Sequence, residues 1–246
     1  MRADARATTD AQAGVAPSTL AARLREATAQ VHEDAEHRGF VTALMGGDLG
    51  LDEYRLYLAQ LEHVYRAMES RRPQPGDPAF LGDRGLDRAD AIRADLLALG
   101  GTDDLPVLQA TEAYVARVQA VHGDAPAFAA HHYTRYLGDV SGGQVIATML
   151  RRHYGAGDEH VTFYYFSSAG GPVPIRRAYR AALDAVAWDA EEERRLVEEA
   201  RLAFALNAAL FDALWAVTQQ RPAAEPSALG GPVLLPVGVH GHEDRP

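Results

Sequence analysis

Three glycines and an aspartate interrupt a segment that otherwise has the pattern of one long helix. The segment is YTRYLGDVSGGQ, residues 133–144, and apolar positions at helical spacing continue beyond it to Tyr154 and Gly155. Upstream, Asp124 and Pro126 match a helix cap and a first-turn proline. Each glycine inside a helix costs about 1 kcal/mol relative to alanine. Glycines at such positions therefore indicate a place where a side chain would obstruct something.

Two interpretations account for Gly138, Gly142 and Gly143. Either a kinked core helix packs closely against a neighbour, or a flat ligand approaches bare backbone. A kink alone does not account for the embedded Asp139, so we favour the ligand. The segment superficially resembles the GDSGG motif of chymotrypsin-like serine proteases, but here an extra residue separates the acid from the serine. The chain also lacks the cysteines and the strand alternation of those β-barrel enzymes.

The composition limits the possible partners and chemistry. With 246 residues, 47% hydrophobic and 24% charged, the chain can bury a core as an ordinary globular protein. A formal net charge of −10 argues against nucleic acid as a partner, because phosphate binding needs a basic face. The absence of cysteine excludes a disulfide framework, a zinc–thiolate site and a thiol nucleophile.

Helical periodicity extends through nearly the whole chain and predicts an all-α fold of about seven or eight helices in a single domain, residues 18–220. The predicted helices follow a Ser18 cap, cover residues 51–70, 88–99 and 107–121 and the glycine-bearing segment, and end with helices opened by Pro174 and by an Asp189–Glu192 capping box. The strand-like run 161–166 has no partner strand and is interpreted as connecting structure.

The two ends of the chain lack this periodicity. Residues 1–17 and 221–246 are predicted to be disordered tails, because they are polar or rich in Pro and Gly. No stretch contains the roughly 18–20 apolar residues of a transmembrane helix, and the N-terminal segment lacks the apolar region of a secretory signal. We therefore predict no membrane anchor and a cytoplasmic location.

His32 differs from the other histidines because Arg25 precedes it by seven residues on the same side of a helix, about 10 Å away along the axis. An imidazole and a guanidinium at that separation suit a ligand with a metal at its centre and a carboxylate at its rim, such as haem. A histidine beside an apolar stripe is more often structural, so the pair alone leaves both interpretations open.

Three separated blocks together resemble the haem oxygenase family. They are LREATAQVHEDAE at 24–36, the 133–144 segment and AFALN at 203–207, in the family's order. The resemblance implies that haem lies between the first helix and a glycine-rich, kinked distal helix. It also implies that haem, as cofactor and substrate, is cleaved to biliverdin, CO and ferrous iron with O₂ and reducing equivalents.

The resemblance further implies a role for each site residue. His32 would be the iron ligand through Nε2, and Asp139 would hold a water that supplies protons. The remaining implied residues are Arg135, Tyr65 and Asn207 in the same distal network, Gly138, Gly142 and Gly143 against the haem face, and Arg25, Tyr133, Arg176 and Arg180 at the propionates. Core hydrogen bonding is the plainer interpretation of Tyr65 and Asn207, and it is compatible with this role.

Electrons would come from a separate protein, since the chain has no flavin fingerprint and no cysteines for an iron–sulfur cluster. For a soluble, bacterial-type member we expect a ferredoxin or flavodoxin with its reductase, and a monomeric chain. Two alternatives were weighed: a non-enzymatic haem-binding or haem-delivery protein, and a haem-free enzyme of the same superfold, such as a thiaminase-like or cofactor-oxidase relative. Asp139 argues against the first, and the block around His32 argues against the second.

Overall fold

The computed structural model describes residues 19–166 and 170–220, and these residues form helices, turns and short 3-10 segments without a strand. The α-helices are α1 Leu20–Glu36, α2 Gly39–Gly46, α3 Leu51–Glu69, α4 Ala89–Ala98, α5 Gln109–Ala120, α6 Ala125–His132, α7 Gly138–Tyr154, α8 Pro172–Asp184 and α9 Ala190–Gln220. A π-helical turn, Tyr133–Leu137, joins α6 and α7. These residues thus contain eight helical runs, and the all-α prediction is confirmed.

Some predicted helix boundaries need correction. Ser18 and the two predicted tails lie outside the described residues, and the cap of α1 is Thr19, whose hydroxyl accepts the Ala22 amide at 3.3 Å. The α8 helix begins at Pro172 rather than Pro174, because Gly171 takes a positive φ of 100° and turns the chain directly into it. The predicted box opening α9 is confirmed.

The α2 helix was not predicted from the sequence. It is eight residues long, and its core stretch of Phe40 to Met45 is apolar with a single threonine. Such a segment has no polar face, so it lacks the periodic signal that identifies a longer amphipathic helix. The run 161–166 does connect elements, as interpreted: it contains a 3-10 turn, Thr162–Tyr164.

The α9 helix is central to the domain and packs against α1 and α6. Its buried positions recur at helical spacing: Leu196, Ala200, Ala203, Phe204, Asn207, Phe211 and Leu214. By length and composition α9 is the one helix in the described residues that could cross a bilayer. Its packing inside the domain accounts for the apolar face, as expected of a core helix.

The glycine-bearing segment is part of one continuous helical run from Ala125 to Tyr154, as predicted. Asp124 caps it by accepting the Ala127 amide at 3.2 Å, and Gly155, with φ of 66°, ends it. We call this run the distal helix. Its irregularity is the π turn just before the glycines, a feature that often marks functional sites because it re-aims the side chains next to it.

Candidate functional site

A cleft lies between α1, the distal helix and α9. It has two adjoining parts of about 320 and 380 Å³, within the size range of small-molecule sites. Both parts are lined by His32, Thr134, Gly138 and Phe204. We call the first the rim part, lined also by Arg25, Tyr133 and Arg180, and the second the distal part, lined also by Asp139, Gly142 and Asn207.

His32 projects into both parts of the cleft from α1. Its side chain is 49% exposed, and its ring contacts the edge of Phe204 at a centroid distance of 5.4 Å. Nδ1 lies 3.6 Å from Glu36 Oε1, one turn along the helix. The atom predicted as the ligand, Nε2, is the ring nitrogen that does not face Glu36.

Asp139 is held by a buried hydrogen-bonded cluster on the distal side. The Tyr65 hydroxyl donates to Asp139 Oδ2, and Arg135 Nη2 donates to both carboxylate oxygens at 3.1 and 3.2 Å. Arg135 Nη1 donates to Asn207 Oδ1 at 2.7 Å. All four side chains belong to residues that are at most 9% exposed. The structure thus brings the four predicted distal residues together by direct bonds.

The four distal residues differ in whether they line the cleft. Asp139, Arg135 and Asn207 line its distal part, whereas Tyr65 is fully enclosed behind Asp139 and lines neither part. The position of Tyr65 in α3 makes it a support for the carboxylate. Because its one proton is donated to Asp139, Tyr65 fixes the direction in which the carboxylate points.

The electrostatics make Asp139 the group of the cluster that can exchange a proton. Burial raises the pKa of the Asp139 carboxyl, although the Arg135 charge and the hydrogen bonds from Tyr65 and Arg135 oppose the rise. Burial alone would lower the pKa of the Arg135 guanidinium, but Asp139 and the nearby phenols hold this pKa well above its ordinary value. Arg135 therefore stays charged while Asp139 is brought nearer to neutral pH.

The rim part carries the predicted carboxylate-binding groups, with one exception. Burial raises the pKa of the Tyr133 phenol, and hydrogen bonding to Thr28 and the charges of Arg180 and Arg25 counteract this rise. Tyr133, Arg25 and Arg180 all line the rim part. Arg25 and Arg180 are both exposed. Arg176, one turn before Arg180 on α8, does not line either part of the cleft. Two guanidiniums and a phenol can bind carboxylates at this rim.

The glycines face different surroundings. A Cβ added at Gly138 or Gly142 would meet nothing within 4 Å, and both residues line the cleft. A Cβ at Gly143 would lie only 2.6 Å from Tyr164 Cδ1. Gly143 therefore permits close packing between the distal helix and Tyr164, and it is absent from the cleft lining. Of the two interpretations of the glycines, helix packing describes Gly143 and ligand access describes the other two.

Sequence reasoning missed several cleft residues, among them Phe204 and Tyr57. Phe204 lies within one of the recognised blocks and lines both parts of the cleft, but it was not singled out. Tyr57 lines the distal part from α3, eight residues before Tyr65. That separation of two turns was a possible signal, since it keeps both tyrosines on adjoining faces of the helix.

The described residues fit a flat, carboxylate-bearing metal chelate better than a bare metal ion. Within them, no three His, Asp or Glu side chains converge to hold an ion. The cleft instead offers one imidazole, open space over Gly138 and Gly142, and guanidiniums at the rim. Thr134 Oγ1 is buried at the cleft wall without a partner, as expected of a group that meets a ligand or a water.

Comparison with known proteins decides the family. The model of the family described as Heme oxygenase matches residues 18–213, most of the chain. Heme oxygenase 1 of Rattus norvegicus is 32% identical over 219 residues, which cover 85% of this chain and 76% of that protein. The chain belongs to the haem oxygenase family. As a haem oxygenase, it cleaves haem to biliverdin, and haem is its ligand and substrate.

Solved structures agree with this assignment. The chain matches the crystal structure of heme oxygenase-1 from the cyanobacterium Synechocystis sp. PCC6803 in complex with heme, with a TM-score of 0.73 and 32% identity, over 82% of this chain and 95% of that one. A TenA homologue from P. horikoshii OT3 also shares the fold, with a TM-score of 0.60, but at 15% identity over 81% of this chain and 99% of that one. The fold thus occurs outside the haem oxygenases, and the family match distinguishes this chain.

Proposed function

We propose that the cleft binds haem between α1 and the distal helix, with His32 Nε2 as the iron ligand. The observation that carries this proposal is the arrangement of one available imidazole from α1 with two glycines, Gly138 and Gly142, that leave open space above the distal helix. His32 would hold the iron, and haem, when bound, would supply the chemistry with O₂. Bare backbone at these glycines would let the flat ring of haem lie close to the distal helix.

The rim groups would orient the haem by its propionates. Arg25, Arg180 and Tyr133 line the same part of the cleft, so two carboxylates can reach two guanidiniums and a phenol. Arg176 is proposed as a further propionate contact because it lies one turn from Arg180, although it does not line the cleft. The orientation of haem in the cleft would decide which edge of its ring faces the distal part. These arginines would therefore also influence the position at which the ring is cleaved.

On the distal side, Asp139 would hold a water and pass it a proton. The carboxylate cannot rotate freely, because Tyr65 and Arg135 bind its oxygens. Arg135 is in turn fixed by Asn207. Burial brings the pKa of Asp139 upward, which suits a group that must both donate and regain a proton. Haem, when bound, supplies the oxygen chemistry, and these residues supply protons and exclude bulk water.

The remaining requirements are proposed on general grounds. The reaction would use O₂ and electrons from a ferredoxin or flavodoxin with its reductase, because the chain lacks cysteine and a flavin motif. The exposed arginines at the rim would attract an acidic donor despite the net charge of −10. We further propose that the chain acts as a cytoplasmic monomer.

The direct test is a titration of the purified protein with hemin, followed in the visible spectrum, and then addition of O₂ and a ferredoxin system with catalase present. We expect a histidine-ligated haem spectrum that gives way to biliverdin with release of CO. A haem complex that persists under good reduction would support a carrier instead. A protein that binds no hemin would overturn the assignment of the cleft as a haem site.

A further inference from the structure

Tyr57 presents a phenol to the distal part of the cleft. It lies on α3, is 5% exposed and lines the same part as Asp139, Gly142 and Asn207. Tyr65, the tyrosine that the sequence placed in the distal network, is fully enclosed and lines neither part of the cleft. Of Tyr57 and Tyr65, Tyr57 is therefore the one whose phenol borders the distal part of the cleft, where a ligand or an ordered water would lie.

The ring of Tyr57 is fixed by aromatic packing. Its centroid is 5.8 Å from that of Phe40 on α2 and 5.8 Å from that of Phe211 on α9, and those two rings stack on each other at 6.5 Å. These separations and tilts are typical of favourable aromatic pairs. This packing holds the Tyr57 ring in place, so the fold determines where its hydroxyl lies.

The groups around the Tyr57 hydroxyl leave it without an acceptor for its own hydrogen bond. The hydroxyl lies beside the Arg135 guanidinium, which carries only donors, so Tyr57 can offer it only its oxygen. Asp139 influences Tyr57 through its charge alone. Burial raises the pKa of Tyr57 to about 12, so the phenol is neutral and keeps its proton near pH 7. The Tyr65 hydroxyl, by contrast, already donates its hydrogen bond to Asp139.

Asp139 has spare acceptor capacity. Its Oδ1 accepts Arg135 Nη2 at 3.2 Å, whereas Oδ2 accepts both Arg135 and Tyr65. A carboxylate oxygen can accept two bonds, so Oδ1 has a lone pair left for a donor in the cleft. A water between Tyr57 and Oδ1 would accept a hydrogen bond from the phenol and donate one to the carboxylate. Both groups would then have a hydrogen-bond partner.

We infer that Tyr57 is a positioning residue that orients a water against Asp139 in the distal part of the cleft. The water-binding role depends only on this chain's own residues, and its consequence for turnover rests on the proposed haem site. Tyr57 acts on the reaction through that water and through Arg135, and it has a different role from Tyr65 on the same helix. Tyr65 holds the carboxylate from behind, and Tyr57 holds the water in front of it.

The test is Tyr57→Phe, which keeps the ring and its packing and removes only the hydroxyl. The matched control is Tyr54→Phe on the same helix, whose hydroxyl donates to the His160 carbonyl and lies outside the cleft. The first measurement uses the haem-free protein: the pKa of Asp139, followed by NMR of carbon-13-labelled aspartate and assigned with Asp139→Asn. The other groups acting on Asp139 are Arg135 and the phenols of Tyr65, Tyr114 and Tyr164, all unchanged by the variant.

We expect Tyr57→Phe to raise the pKa of Asp139 by about 0.5 pH unit or more, because a water that loses its phenolic donor is a weaker donor to the carboxylate. Tyr54→Phe should leave it unchanged. In the hemin complex, Tyr57→Phe should keep the affinity for hemin within about twofold while kcat for biliverdin falls roughly three- to tenfold. An unchanged pKa of Asp139 in the haem-free variant would overturn the inference, whatever happens to turnover. Failure of both proteins to bind hemin would count only against the proposed function.

Discussion

Arg135 Nη1 donates to Asn207 Oδ1 at 2.7 Å and thereby joins the distal helix to α9. The same guanidinium binds both oxygens of Asp139 through Nη2. One buried cation thus orients the carboxylate and is itself oriented by an amide from another helix. An arrangement of this kind keeps a titratable group in a fixed direction at a water-poor site, which is what controlled proton delivery requires.

Replacement of the cation in this cluster should destabilise the protein in a pH-dependent way. Arg135→Gln leaves the buried Asp139 carboxylate unpaired, and we expect the free energy of unfolding at pH 7 to fall by about 3 kcal/mol. The folded-state pKa of Asp139, already raised, should rise further, so the penalty applies above the unfolded value near 4 and shrinks as the pH falls towards it. Urea unfolding at pH 7 and pH 5 measures both effects.

The control for that prediction is the double variant Arg135→Gln/Asp139→Asn. It removes both charges together, so at least half of the lost free energy of unfolding at pH 7 should return, as a double-mutant cycle would show. A double variant no more stable than Arg135→Gln alone would contradict the view that the buried carboxylate is the source of the penalty.

His32→Ala should separate haem ligation from folding. The His32 side chain is 49% exposed and packs mainly on the edge of Phe204, so the free energy of unfolding of the haem-free variant should change by less than about 1 kcal/mol. Its hemin complex should lose the histidine-ligated visible spectrum, and added imidazole should restore it by filling the vacated position. The same test on His153→Ala, on the far end of the distal helix, should leave the hemin spectrum unchanged.

Two neighbouring glycines should respond in opposite ways to the same substitution. Gly142→Ala adds a Cβ into open space and should stabilise the haem-free protein by up to about 1 kcal/mol, while the Kd for hemin rises at least about tenfold. Gly143→Ala meets Tyr164 at 2.6 Å and should destabilise the protein by about 1 to 3 kcal/mol. Thermal unfolding and hemin titration of both variants give the comparison. Equal stability changes in the two would contradict the assigned environments.

Glu199 on α9 should contribute to acid sensitivity. Burial alone would raise the pKa of its carboxyl, but hydrogen bonds from Arg117 and His131 outweigh burial and lower the pKa to about 2. A lowered folded-state pKa gives stability that is present above the unfolded value of about 4.3 and is lost as the pH falls towards 2. Glu199→Gln should therefore reduce the free energy of unfolding at pH 7 by about 2 kcal/mol and flatten its decline between pH 4 and pH 2. Chemical unfolding across that range is the measurement.

Much of the helical framework could be predicted because apolar side chains recur with the period of a helix. The limits of the distal helix followed from Asp124, Pro126 and Gly155, which act locally through hydrogen bonding and backbone conformation. The π turn at Tyr133–Leu137 and the short α2 could not be found in this way. The first lies inside a continuous helical pattern and has no separate signal in the sequence, and the second has no polar face.

Site residues could be predicted where they lie in a motif that resembles the family. They could not be predicted where the role of a residue depends on the side chains that the fold places around it. The direct bonds of Tyr65 and Arg135 to Asp139 bring together residues up to 74 positions apart. Gly143 looked equivalent to Gly142 in the sequence, but only the fold shows that it faces Tyr164. Tyr57 lies in none of the recognised motifs, and the fold shows that it lines the cleft and packs against Phe40 and Phe211.

The most direct measurement of the central claim is biliverdin formation by the hemin complexes of the native protein and Asp139→Asn, with O₂, a ferredoxin system and catalase. The amide keeps the shape of the carboxylate and still accepts from Tyr65, but it cannot give up and regain a proton. We predict equal hemin binding and spectra of the same ligation type, with biliverdin formed by the native protein and at least about 100-fold more slowly by the variant. Biliverdin formation at the native rate in Asp139→Asn would contradict the account.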